Sequence, residues 1–90
     1  MAGAAFPGAD LISEGLDDLA QGVESIPALL VSIGAPRLRR LGVLVPAPIL
    51  TPERRLYEVL QDADPATAHS RYNALVRRLV SFERAAECAR

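Results

Sequence analysis

The chain has no tryptophan and no lysine, one cysteine, one histidine and only four aromatic side chains in 90 residues. Each shortage closes off a class of function. A single cysteine, Cys88, cannot form an internal disulfide. Near the end of the chain it reads as an incidental free thiol in a reducing compartment. One histidine and one cysteine, His69 and Cys88, do not make the clustered set that a zinc site needs. Ser70 follows His69 directly, and side chains at i and i+1 diverge on a helix, so these two are no nucleophile–base pair. His69 is expected at the surface or at the edge of a helix seam. Neither the P-loop pattern nor G-x-G-x-x-G is present. Asp17-Asp18 and the Asp62 and Asp64 pair read as helix-terminus acids rather than as a cation site. No enzymatic activity, no metal and no cofactor are therefore expected, and a small helical chain offers little concavity for an active site.

The four aromatics, Phe6, Tyr57, Tyr72 and Phe82, leave no stacking platform for single-stranded nucleic acid. No apolar run approaches the roughly 20 residues that span a bilayer. Met1 to Pro7 lacks the basic residues and apolar run of a secretory signal. A soluble cytoplasmic protein without membrane contact is expected. The absence of lysine, with arginine supplying all the basic residues, fits a GC-rich coding bias.

Half of the residues are hydrophobic, and with so few aromatics the core must be aliphatic. A chain this short buries only about 60–65% of its unfolded surface. An oligomer or an obligate partner is expected over a lone monomer. Charge is unevenly spread. Residues 1–36 carry five acids and no base, whereas residues 65–90 carry five arginines against two glutamates. Such a split can fold back on itself, acidic first helix on basic last helix, or support association with another molecule.

The pattern predicts an all-α fold: a small bundle of four to five helices with a long C-terminal amphipathic helix. Residues 1–9, rich in small residues with Gly3, Pro7 and Gly8, are expected to form a flexible arm, with Phe6 available to tuck onto the core. Residues 10–90 are expected to form one helical domain. Asp10 is a candidate N-cap for the first helix, whose apolar stripe is Leu11 or Ile12, Leu16, Leu19, Ala20 and Val23. Gly15 weakens that helix by about 1 kcal/mol relative to Ala, and is either tolerated or used for close approach. Gly22 suits the position after the helix end. Ser25 caps a second helix, 27–33, nearly all apolar and ending at Gly34. A third, 36–41, starts at Pro36 and stops at Gly42. Residues 43–50 are apolar but broken by Pro46 and Pro48, so they predict an extended connector that either covers the helices or presents a sticky strip. Thr51-Pro52-Glu53 opens a fourth helix to about Gln61, with an Arg54–Glu58 pair at i,i+4.

The last helix is predicted over 65–90, capped by Asp64 with Pro65 in its first turn. Ala68, Tyr72, Leu75, Leu79, Phe82 and Ala86 repeat at alternating spacings of four and three, a heptad-type seam. Val76 and Val80 widen it. Arg71, Arg77, Arg78 and Arg84 have few acidic partners within the helix. They are candidate partner-binding residues, with Tyr72 and Phe82 as aromatic anchors, although seam residues serve an internal core equally well.

A helix, a Gly34 turn and an arginine-bearing second helix over residues 26–42 have the outline of a helix-turn-helix. Arg37, Arg39 and Arg40 would then contact DNA. Arg40 stands where that unit wants an inward apolar residue, which counts against it. Two stretches together resemble a known class: Ala28-Leu-Leu-Val-Ser-Ile-Gly-Ala-Pro-Arg-Leu-Arg-Arg-Leu-Gly42 and His69-Ser-Arg-Tyr-Asn-Ala-Leu-Val-Arg-Arg-Leu-Val-Ser-Phe-Glu-Arg-Ala85. They are similar to small actinobacterial antitoxins encoded beside nucleotidyltransferase-like toxins. The resemblance implies a helical antitoxin that binds its toxin and blocks the active site, the toxin carrying the nucleotide chemistry. The expected function is thus a non-enzymatic protein-binding module, with an antitoxin first, and a DNA-binding regulator or a self-associating structural protein as alternatives.

Overall fold

The computed structural model describes residues 6–89 and contains four helices: α1 (Ala9–Ala20), α2 (Ile26–Arg40), α3 (Pro52–Ala63) and α4 (Ala68–Cys88). No strand occurs among the described residues. Within the arm expected over 1–9, residues 1–5 lie outside the described residues. Phe6 is half-buried and meets Phe82 edge-on, ring centroids 5.9 Å apart. Ala9 already belongs to α1.

The helix ends follow local chemistry where that chemistry is unopposed. Gly22 and Gly42 take positive φ, 72° and 91°, just beyond α1 and α2. The Ser25 hydroxyl accepts from the Ala28 N–H at 3.1 Å and donates to Asp18, which ties the end of α1 to the start of α2. Arg54 pairs with Glu58 at 3.5 Å as expected. Asp10 is not the cap of α1. Gly8 holds that place at φ 77°, and Asp10 is an acid in the first turn. Thr51 does hold the cap position of α3, but in a left-handed conformation, with its hydroxyl donating to the Leu50 carbonyl rather than capping.

Two boundaries differ from expectation. The helices predicted over 27–33 and 36–41 are one helix, α2, which runs through Gly34 and Pro36. Gly34 is buried where α4 crosses, and a Cβ there would stand 2.8 Å from Leu79 Cδ1. It is a packing glycine, not a turn. The last helix begins at Ala68 rather than Pro65. Asp64 ends α3, and its carboxylate accepts from the Ala66 N–H and the Thr67 hydroxyl, so it organises a turn of its own before α4 starts.

α2 is the centre of the bundle. Leu29, Leu30, Val31 and Leu38 are wholly buried, with Ala28 and Ala35 beside them. A helix that is apolar nearly all round is one enclosed by others, and α2 packs against α1, α3 and α4. α1 contributes Ile12 and Leu19, α3 Leu56 and Leu60, and α4 Ala68, Leu79 and Phe82. The α1–α2 contact is close because of Gly15. A Cβ there would lie 2.3 Å from the Pro27 carbonyl oxygen and 2.5 Å from Val31 Cγ2. Of the two roles open to Gly15, close approach is the one observed.

Candidate protein-interaction site

On α4 the seam and the arginines separate onto different faces. Ala68, Leu79 and Phe82 are buried, and Tyr72, Leu75 and Ala86 are half-buried against the core. Arg71, Arg77, Arg78 and Arg84 are all exposed. Arg77 and Arg84 lie seven residues apart, nearly in line along the outer face with Ser70 and Ser81, while Arg71 and Arg78 share a flank. Arg78 reaches Asp10 of α1 at 3.8 Å, a long and exposed pair of little energetic weight. Among the described residues it is the one ion pair between the acidic first helix and the basic last helix. Arg71, Arg77 and Arg84 make no ion pair among the described residues.

The two expected aromatic anchors fare differently. Phe82 is core: it is 9% exposed and packs on Phe6, so an incoming surface cannot reach it. Tyr72 is half-buried, 5.7 Å from Tyr57 of α3 between ring centroids. Burial, and then the charge of Glu53, push its hydroxyl above the ordinary tyrosine value. His69 is exposed and pairs with Asn73 at 3.3 Å, and Cys88 is an exposed free thiol.

The arginines at the end of α2 are largely occupied. Arg37 lies 3.6 Å from Glu83 and 3.2 Å from Glu87, clamping α2 to α4. Arg39 donates to the Val45 carbonyl at 2.9 Å. Arg40 is exposed and also engaged. The turn and separate second helix of a helix-turn-helix are missing, because 26–40 is continuous.

In the sequence Glu83 reads only as one of two like-charged glutamates, with Glu87, near the end of the last helix, and its burial is not legible there. It is a charged group only 4% exposed, with Oε2 3.0 Å from where a Cβ on Gly34 would stand. Burial pushes its carboxyl above the ordinary glutamate value, Arg37 pulls it down, and Glu87 pushes it up. A carboxyl with a raised folded pKa adds stability that is complete below the unfolded value and fades as pH rises through the folded one. Wild type is therefore expected to lose stability relative to Glu83→Gln as pH rises from about 4 toward neutrality. Paired denaturant titrations across that range measure the difference. A difference that does not change with pH contradicts the assignment.

The connector after α2 folds back along it. Val45 is buried, and the Ile49 N–H donates to the Ser32 hydroxyl at 3.0 Å, which itself donates to the Ala28 carbonyl. Those anchors hold two residues in the left-handed region, Ala47 at φ 29° and Thr51 at φ 47°, each costing on the order of 1–2 kcal/mol. The same anchors leave Leu44 89% and Leu50 86% exposed. The expected connector both covers the helices, through Val45, and presents apolar side chains, through Leu44 and Leu50. Beside it runs an open apolar groove of about 740 Å3. It is lined by Leu16, Asp17 and Ala20 of α1, by Arg39 of α2 and by residues 42–46. Sequence reasoning flagged the strip but not the groove, which needs α1 and the connector side by side.

Among the described residues no group of three or more His, Cys, Asp or Glu could hold a metal ion, and no helix is long and apolar enough to cross a membrane. None of the family models, curated proteins or solved structures compared with the chain matches it.

Proposed function

We propose that the chain is a non-enzymatic protein-binding module, and within that class an antitoxin that occludes a nucleotidyltransferase-like toxin. The observation that carries the binding assignment is the outer face of α4. Arg77 and Arg84 stand exposed on it and Arg71 on a flank, all three without an acidic partner among the described residues. They project from a 21-residue helix whose other side is held by the core. Arginine pairs with carboxylates through two parallel N–H bonds, and a helix that sets the spacing of Arg77 and Arg84 suits an acidic protein surface. The resemblance of residues 69–85 to antitoxins falls on this same helix. A DNA-binding regulator using Arg37, Arg39 and Arg40 has less support, since Arg37 is held by Glu83 and Glu87 and residues 26–40 form one continuous helix without the turn of a helix-turn-helix.

The test is co-expression with a nucleotidyltransferase-like toxin encoded beside this chain. Growth is expected to recover and the two proteins to co-purify. Arg77→Glu with Arg84→Glu should weaken the complex by roughly tenfold or more. Folding should be unchanged within about 0.5 kcal/mol, since both side chains are exposed. Persistent growth arrest with wild type, or a double variant that binds as wild type does, rejects the proposal.

A further inference from the structure

The groove between α1 and the connector is a second surface, and none of its lining residues lies on α4. We infer that it is a self-association site, occupied by a second copy of this chain in a two-fold dimer.

The inference stands on what the patch contains. It holds an apolar hollow and, on its own rim, a projecting apolar side chain, Leu44, that is 89% exposed. A knob beside a hole is what a two-fold interface requires, because the same patch must supply both halves of the contact. Leu44 of each copy enters the hollow of the other, and both leucines leave water together. Charge follows the same rule. Asp17 of α1 and Arg39 of α2 both line the groove, and neither makes an ion pair among the described residues. A two-fold axis through the groove sets Asp17 of one copy toward Arg39 of the other, twice. Arg39 keeps its bond to the Val45 carbonyl, which fixes the guanidinium at the rim and the strand of chain that carries Leu44. A partner of a single charge sign would leave either Asp17 or Arg39 opposed by a like charge, whereas a second copy brings an arginine for the one and an aspartate for the other.

The experiment is sedimentation equilibrium on the full chain over a concentration series, with circular dichroism to check folding. Wild type is expected to dimerise. Leu44→Asp should fold normally, because the side chain is exposed, and weaken the dimer by roughly tenfold or more. Leu50→Asp, at an equally exposed position outside the groove lining, should dimerise as wild type does. Asp17→Arg should also weaken association, because it sets an arginine of one copy toward Arg39 of the other, and Asp17 makes no hydrogen bond or ion pair within the described residues that the change would break. A wild-type monomer throughout the series overturns the inference. So does a Leu44→Asp dimer as tight as wild type, or a Leu50→Asp effect equal to that of Leu44→Asp. These outcomes are independent of toxin binding, which reads the face of α4.

Discussion

Leu38→Ala is expected to cost about 2–5 kcal/mol of folding stability. Leu38 is wholly buried and lies on α2 beyond both Gly34 and Pro36. Truncation removes three side-chain carbons from a site enclosed by the bundle, so lost transfer energy and the cavity left behind both count against the fold. A domain of this length holds a net of about 5–13 kcal/mol, so the loss is a large share of the total. It also discriminates between two structures. Were residues 36–41 a separate short helix after a turn at Gly34, Leu38 would cap a peripheral element and its loss would be small. Guanidinium titration followed by circular dichroism gives the answer. A cost under about 1 kcal/mol would contradict the placement of Leu38 at the centre.

Gly15→Ala is expected to lower stability by about 2 kcal/mol, the opposite sign to that of an exposed helix position. Alanine gains about 1 kcal/mol in helix propensity. Against that, its Cβ would overlap the Pro27 carbonyl oxygen at 2.3 Å and Val31 Cγ2 at 2.5 Å. The valine has one preferred rotamer on a helix, and the carbonyl is backbone, so neither can step aside. α1 must move away from α2, at a cost near the upper end of the roughly 1–3 kcal/mol typical of overpacking. Gly34→Ala makes a useful comparison. Its nearest neighbours are the ends of the Leu79 and Glu83 side chains, at 2.8 and 3.0 Å, which can shift more cheaply. The same titration decides the matter: a Gly15→Ala protein more stable than wild type would mean that the two helices are not held this close.

The α4 surface and the α1 groove differ in how far they could be read from residue order. The arginine face of α4 was visible in full, because a long helix with a seam at alternating spacings of four and three sorts its remaining residues by angle alone. What spacing could not say was which arginines stay free. Arg37 finds Glu83 and Glu87 across the bundle, and Arg78 finds Asp10 on another helix. Tyr72 and Phe82 share the seam, yet Phe82 meets Phe6 from the other end of the chain and is buried, while Tyr72 lies on Tyr57 nearer the edge.

By itself the sequence determined the elements whose signals are local. Ser25 as a cap, Gly22 and Gly42 as stops, the proline-broken connector and the existence of the terminal helix each follow from a backbone preference or a short-range hydrogen bond. Only the tertiary structure decided that Gly34 and Pro36 do not end α2, that α2 rather than α4 is the central helix, and that Glu83 is buried. At Gly34 the chain has two uses for a missing Cβ, a turn or a close crossing, and the sequence does not choose between them. Packing chooses: enclosing Leu29, Leu30, Val31 and Leu38 on every side requires one continuous helix with α4 pressed against it, and the glycine makes room.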